Sequence, residues 1–528
     1  MWAGFLLREK KWVLLPIVVL SVVAYSIWRF QSPYPAPLNW DMWEHQTIIN
    51  HILQGQFALL PSALSDTFRF NGYTTLFHVL IAGVQKVFQP DILGFWWFAD
   101  YFLLLTSALA TTALMYRITK RVFPTLVAGV FSLFFFESSV VYATLLFMPQ
   151  TVVAVLWVLA LTTLMSCEKR SSAIWLILCS AFILIPMHFI VGAAGVLLLI
   201  AYRFLEETGL TKRVAIFITG MLTLPVILYF GFARISNIFH LESLNFGEAT
   251  AFTQTLAEKL TFIQTWYGFF PLIFLPISIY EVVKTEKTRT LWILLTLIIG
   301  VVSAPFPYAM KFYTLGRYLT IIFMASGVSM LTHKLTNFSG KIIILGCITI
   351  ATAVLFYTNI WSWQLPLVFR SQASYVSSDE YNASKFLVDH YNKTTTFIVS
   401  DPSTQSIMEA LTGIESQGGV YMNTTSRLSI SQAFDSQTPN QFIRTITTIT
   451  DTIDRSPKSI YLVVVSARLF QWLDSTPQER SDIAYNIWGP QSFSLEDRSH
   501  LTDLVKTFQL KTVYKNESLA IVEIKGNL

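Results

Sequence analysis

Charge is scarce in this 528-residue chain: 13% of its residues are Asp, Glu, Lys or Arg, against roughly a quarter in ordinary soluble domains. With 53% hydrophobic residues and a positive mean hydropathy, that scarcity excludes an ordinary soluble enzyme and makes lipid the main solvent. Cysteine is scarce as well. Cys167, Cys179 and Cys347 all sit in or beside apolar segments, so there is no disulfide framework and no cysteine metal site, and thiols do not reveal the redox compartment. The net charge of +5 is divided among short clusters between apolar runs instead of forming one face, which argues against a nucleic-acid partner. There is no internal repeat and no low-complexity segment.

What is abundant is apolar runs near the ~20 residues needed to cross a bilayer. They predict about eleven spans, at about 12–29, 92–116, 122–141, 149–166, 172–187, 188–204, 214–232, 266–283, 290–306, 318–332 and 341–362. Arg8, Lys10 and Lys11 precede the first run, which lacks a small-residue cleavage site and so reads as a retained span rather than a signal peptide. Arg117/Lys120/Arg121, Lys169/Arg170, Arg203/Lys212/Arg213, Lys284/Lys287/Arg289 and Lys334/Lys341 fall on the same side as that basic N-terminus. The positive-inside rule makes this side the cytoplasm.

Three pieces of the opposite, extracytoplasmic side are long enough to do chemistry: loop 30–91, loop 233–265 and everything after Trp363. In the first loop, Asn71 to Phe88 reads as an amphipathic helix in the membrane interface, in preference to a further crossing that would invert the charge alternation downstream. Residues 1–363 thus read as a membrane domain and 364–528 as an exported α/β domain of about 165 residues. Helical patterns there fall at about 378–391, 402–412, 437–454 and 494–508, and β-rich runs at Phe397–Ser400, Ile460–Val465, Thr512–Tyr514 and Leu519–Ile524. Pro402 directly after Asp401 predicts a helix capped by Asp401 with Pro in its first turn. Asn382, Asn392, Asn423 and Asn516 lie in N-x-Ser/Thr triplets, but so does Asn337 on the cytoplasmic side, and such triplets are common by chance.

Chemistry is concentrated in Asn39-Trp-Asp-Met-Trp-Glu-His-Gln46, just beyond the first span. On a helix Asp41 and His45 share a face with Glu44. A carboxylate at the mouth of a membrane cavity can act as general base toward a hydroxyl, desolvation raising its pKa; equally, Asp41 can serve simply to cap the helix. Asp41, Glu44 and His45 could in principle bind a divalent ion. Lys311 and Arg317 are placed outside, just before the tenth span, against the charge bias. A phosphate would favour them there, since a guanidinium fork matches phosphate oxygens; the alternative is that Arg317 snorkels to headgroups. Glu137 ends the third span, where an ionisable group is costly unless it pairs or faces water. His78 in the interfacial stretch and His188 after Pro186 could contact substrate or serve as packing partners.

An acidic residue opening the first outer loop, Asp41-x-x-Glu44-His45, followed by Phe70-Asn-Gly-Tyr-Thr-Thr-Leu-Phe-His78, resembles the GT-C class of membrane glycosyltransferases. That class includes protein O-mannosyltransferases, lipid A aminoarabinose transferases and oligosaccharyltransferase catalytic subunits. Met148-Pro-Gln-Thr151 opening the fourth span, a cytoplasmic N-terminus and an exported C-terminal domain agree with it. The resemblance implies a polytopic α-helical GT-C-like fold. It also implies a donor sugar on a polyprenyl phosphate or diphosphate, transfer to a glycan, lipid or protein acceptor at the cell envelope, and Asp41 as the catalytic carboxylate. Glu44, His45 and Glu137 would bind substrate, and Arg317 with Lys311 would hold the donor phosphate. There is no outward Asp-x-Asp, and the Trp pair Trp96-Trp97 is followed by Phe98. A metal-dependent oligosaccharyltransferase is thus disfavoured against a metal-independent, cofactor-free, inverting transfer from a polyprenyl monophosphate, whose departing charge needs mainly Arg or Lys. Two rival functions are a transporter or lipid flippase, which should show inverted repeats and broken spans, and a non-catalytic scaffold with an exported binding domain, for which Asp41 and Glu137 would be dispensable.

Overall fold

The computed structural model describes residues 14–31, 41–55, 76–134, 147–208, 255, 257–258, 272–278, 286–303, 309–334, 376–418, 424–436, 438–451, 459–481 and 511–525. Glu137, the spans expected at 214–232 and 341–362, nearly all of loop 233–265 and the helix expected at 494–508 lie outside them. The chain divides into two compact units. The first comprises Met1–Pro33, Thr74–Phe77 and Phe98–Trp363; the second comprises Tyr34–Tyr73, His78–Trp97 and Gln364–Leu528.

Among the described residues up to 334 lie the helices α1 (Leu14–Gln31), α2 (Asp41–Leu53), α3 (Leu76–Phe88), α4 (Ile92–Thr119), α5 (Val122–Phe134), α6 (Pro149–Leu164), α7 (Arg170–Met187), α8 (Phe189–Glu207), α9 (Glu286–Ser303) and α10 (Ala309–Lys334). Among the described residues, α4, α7, α8 and the Lys311–Thr332 part of α10 are long and apolar enough to cross a membrane.

In the first unit α10 is the hub, packing on α5, α6, α8 and α9, and every residue from 313 to 328 is buried. Its interior carries polar side chains: the Ser107 and Tyr318 hydroxyls lie 3.0 Å apart, and Thr111 Oγ1 donates to Ser132 Oγ at 3.2 Å. Trp175, Phe182 and Leu197, by contrast, point outward at 68%, 81% and 64% exposure. Apolar outside with hydroxyl pairs inside is the arrangement a lipid solvent selects, because hydrocarbon gives no reason to hide Leu or Phe.

α7 and α8 form a hairpin. Pro186 lies in the last turn of α7, and His188 breaks the run in an extended conformation and caps α8. Gly192 lets the hairpin close, since a Cβ there would strike the Leu184 carbonyl.

α10 starts earlier than the sequence predicts. The expected tenth span opens at 318 with Lys311 and Arg317 outside it, whereas both residues are helical and Arg317 is 2% exposed. Nothing between Ala309 and Tyr318 breaks a helix, and packing against several neighbours buries a turn that its charge alone would have left in water.

The second unit is built on the sheet formed by β1 (Thr396–Val399), β2 (Glu415–Ser416), β3 (Ile460–Ser466), β4 (Lys511–Lys515) and β5 (Leu519–Lys525), in the order β2-β1-β3-β5-β4. β1 runs parallel to β2 and β3, while β5 runs antiparallel to β3 and β4. Its helices include α11 (Ser378–His390), α12 (Pro402–Thr412), α13 (Thr424–Phe434), α14 (Pro439–Asp451), α15 (Ala467–Asp474) and α16 (Pro477–Ser481).

Strand alternation divides the core in two. Phe397, Val399, Tyr461, Val463, Val465, Val522 and Ile524 meet Ile430, Phe442, Ile446 and Trp472 on one face. Ile398, Leu462, Val464 and Ile521 meet Ala383, Leu387, Met408 and Ile414 on the other. β3 is therefore buried on both sides and reads as a continuous apolar run. The strands and the helices at 378–390, 402–412 and 439–451 match the sequence reading to within a few residues. β2, α13, α15 and α16 do not figure in it, being too short or too polar to show a period.

Candidate active site

The second unit holds one group of the candidate residues. α2 begins at Asp41, so Glu44, His45 and His51 follow on a regular helix. Every residue from Met42 to Ile49 is buried, the polar ones included, so this part of α2 is enclosed on all sides, while Leu53 at its end is exposed.

His45 Nδ1 lies 3.0 Å from His78 Nε2 on α3, which puts two of the predicted substrate residues in one buried pair. One of these two nitrogens donates its N–H and the other accepts, the direction being set by the tautomers of the rings. Next to it, Gln46 and Gln85 exchange amide bonds in both directions, at 3.0 Å and 2.8 Å, and Trp96 Nε1 donates to Gln46 Oε1 at 2.8 Å.

α3 turns these polar groups inward and leaves Leu80, Val84, Val87 and Phe88 exposed along one stripe. At 13 residues it spans about 20 Å, well short of a ~30 Å hydrocarbon core.

The opposite side of α2 meets α12. Ser406 Oγ donates to Glu44 Oε1 at 2.5 Å, and His51 Nε2 lies 3.3 Å from Glu409 Oε1. Glu409 Oε2 accepts from Ser416 Oγ at 2.5 Å.

α12 forms as its sequence predicts: the Asp401 side chain accepts from Thr404 N at 3.0 Å with Pro402 at the first helical position, and Gly413, at φ +69°, ends the helix in the left-handed conformation. Asp91 serves two elements. It caps α4 through Gly94 N and accepts from the Tyr381 hydroxyl of α11 at 2.6 Å.

The first unit holds the remaining candidates. Arg317 reaches the Ser132 carbonyl at 3.5 Å and its guanidinium lies 6.0 Å from the Tyr318 ring centre. Lys311 is half-buried on the same helix, six residues earlier. His188 Nδ1 accepts from Val191 N at 3.2 Å, which gives its ring a capping role at the start of α8.

Sequence reasoning passed over Asp100. It is a fully buried carboxylate on α4, accepting from Phe147 N at 2.8 Å and so holding the segment that opens α6. The signal was available, because an acid inside the 92–116 apolar run is costly without such a partner. Among the described residues, no three His, Cys, Asp or Glu side chains gather as metal ligands would.

No protein-family model and no curated protein matches this sequence. Solved structures do match. The archaeal oligosaccharyltransferase AglB from Archaeoglobus fulgidus, in complex with an inhibitory peptide and a dolichol-phosphate, superposes with a TM-score of 0.54 at 12% identity, covering 90% of this chain and 72% of that one. The apo form of the Archaeoglobus fulgidus oligosaccharyltransferase gives 0.56 at 11% identity over 91% and 72%.

The fold is of the GT-C type.

At 11–12% identity the likeness concerns the GT-C fold and not the chemistry. ArnT from Cupriavidus metallidurans, bound to undecaprenyl phosphate, covers 98% of both chains at 12% identity, but its TM-score of 0.46 is too low to argue from. The GT-C fold accounts for the coexistence of an apolar helical bundle and a C-terminal sheet in one chain.

Proposed function

We propose that this protein is a membrane glycosyltransferase that moves a sugar from a polyprenyl-phosphate donor to a glycan, lipid or protein acceptor on the extracytoplasmic face. The observation that carries the proposal is the GT-C fold shared, over nine-tenths of the chain, with the oligosaccharyltransferase AglB in complex with a dolichol-phosphate. The first-loop carboxylate at the head of α2 and the buried cation of α10 supply the chemistry. In the full topology about eleven spans separate a cytoplasmic N-terminus from an exported C-terminal domain.

In this mechanism Asp41 accepts the proton of the acceptor hydroxyl. The acceptor oxygen bonds to the anomeric carbon from the face opposite the phosphate, and the carbon–oxygen bond to the phosphate breaks with inversion. The electron pair leaves on polyprenyl phosphate, whose charge Arg317, with Lys311, holds. Glu44, His45, Glu137, His78 and His188 are supporting groups around donor and acceptor, and neither a metal nor a cofactor is required.

The deciding assay incubates purified protein with radiolabelled polyprenyl-phosphate sugars. Asp41→Asn should lower transfer by roughly 10²–10⁴-fold, the range for loss of a general base. Undiminished product would favour a scaffold or transport role instead.

A further inference from the structure

α12 is a polar helix in a place where polar helices are rarely found. Ser403, Thr404, Gln405, Ser406, Glu409 and Thr412 are all buried; Ile407, Met408 and Ala410 are buried as well, Met408 against the sheet, but they do not account for the burial of six polar residues. A buried hydroxyl or carboxylate is costly unless bonded, so the packing of α12 requires a partner that brings matching polar groups. Thr404 and Gln405 find theirs in Ser466 and Ser400, near the ends of β3 and β1; for Ser406 and Glu409 the partner is α2, from the first loop, some 360 residues away in the chain.

The match extends along the helix pair. Near the start of α2, Ser406 donates to Glu44. Toward its end, Asn50 Nδ2 donates to the carbonyls of Glu409 at 3.2 Å and Ala410 at 2.8 Å, and Gln54 Nε2 donates to the Gly413 carbonyl at 2.9 Å. Between them His51 meets Glu409, whose other oxygen is tied to Ser416 of β2. These carbonyls lie at the end of α12, where a helix leaves acceptors without partners of its own; the Glu409 carbonyl also accepts from Gly413 N, so Asn50 adds a second bond there. Asn50 and Gln54 therefore complete the C-terminal end of a helix belonging to a distant part of the chain. The two helices run in the same direction, and Asp41 lies one turn before Glu44, at the α12 N-terminal end of the pair.

We propose that Ser406, Glu409 and Asn50 are positioning residues for transfer: the clasp between α2 and α12 fixes the start of α2, and with it Asp41, so that the C-terminal domain controls the geometry of the general base. This rests on the assignment of Asp41 made above. It also goes beyond that assignment, because it gives the C-terminal domain a part in the chemical step rather than in acceptor recognition alone. A displaced base costs rate without costing donor affinity, and a misplacement of about 1 Å can lower a rate on the order of 10²-fold.

The test uses the full-length protein in lipid nanodiscs. Ser406→Val removes the hydroxyl donor and adds a methyl group, Ser406→Thr adds the same bulk but keeps the donor and so controls for volume, and Asn50→Ala is a milder variant toward the end of α2. Transfer from a radiolabelled polyprenyl-phosphate sugar, binding of unlabelled polyprenyl phosphate and amide hydrogen exchange are measured on each. The expected result for Ser406→Val is a fall in kcat of about tenfold to a hundredfold. Polyprenyl phosphate binding should stay within about twofold, protection across 42–53 should be lost with β3 still protected, and Ser406→Thr should recover the rate. Unchanged protection of α2 in both Ser406→Val and Asn50→Ala overturns the clasp. Loosened α2 with full transfer, in a protein that Asp41→Asn inactivates, overturns the positioning role while leaving the transferase reading intact. Transfer indifferent to Asp41→Asn overturns the transferase reading and the positioning role together.

Discussion

The bundle of the first unit and the sheet of the second bury opposite kinds of surface. Around α10 the interior is rich in hydroxyls and holds Arg317, while Trp175, Phe182 and Leu197 face outward. Around β3 the interior is Ile, Val, Leu and Phe, divided between the two faces of a pleated strand. The difference shows that burial alone does not measure stability. In water, hiding Leu462 is worth most of what a side chain can contribute; against lipid, turning Leu197 outward costs little, and close approach and hydrogen bonds between helices decide the packing.

Substitutions in the two units should therefore respond differently to the same chemistry. The largest effect is expected for Leu462→Ala on β3, about 2–5 kcal/mol for a fully buried leucine, read as a lowered unfolding temperature of the C-terminal unit. Leu197→Ala, the same change on α8, should fall within about 0.5 kcal/mol; equal losses at the two sites would remove the contrast.

The bundle's own sensitive position should be a glycine. Gly192→Ala puts a methyl group against the Leu184 carbonyl and should cost about 1–3 kcal/mol, visible as lower thermal stability in detergent. A neutral result would mean the α7–α8 hairpin is not closely packed there.

A smaller loss, about 0.5–2 kcal/mol, is expected for Asp401→Ala, which removes the N-cap of α12. Asp401→Asn should recover most of it, since an amide oxygen can accept the same bond.

The smallest effect lies at α16. Glu479 accepts from Thr476 N and from the Thr476 hydroxyl, and these bonds hold its carboxyl below the usual carboxylate value. A depressed carboxylate adds stability above its ordinary pKa of 4.5 and loses it as the pH falls through the lower folded value. Glu479→Gln should flatten the acid limb of the stability profile of this segment. An acid limb identical to wild type would show that the bonds do not persist in solution.

Much of this architecture was legible in residue order. Long apolar runs announced α4, α7 and α8, because a bilayer sets both their length and their composition. Asp401-Pro402 announced the strand-to-helix junction, because capping is a local interaction. The β-rich runs at 397–400 and 460–465 announced β1 and β3. What was not legible has a common cause. α13 and α15 are amphipathic over only two or three turns, and β2 is two residues long, so their existence depends on the neighbours they pack against. Arg317 was expected outside the span because its charge was read without the helices that enclose it.

The candidate site divides in the same way. Asp41, Glu44 and His45 were singled out by their spacing in one short segment, and α2 does place them on consecutive turns of a helix. The partner of His45 on α3, the Ser406 hydroxyl at Glu44 and the bond from Phe147 N to Asp100 lie tens to hundreds of residues away. No periodicity connects such pairs.

The sequence by itself determined the solvent, the apolar helices and the strand pattern of the C-terminal region, since each depends on residues within a turn or a strand of one another. Only the tertiary structure decided that the first-loop helix completes α12 and that a cation and a carboxylate are buried in the bundle. Those outcomes follow from which elements meet, and a buried polar group is tolerated only where a distant part of the chain delivers its partner.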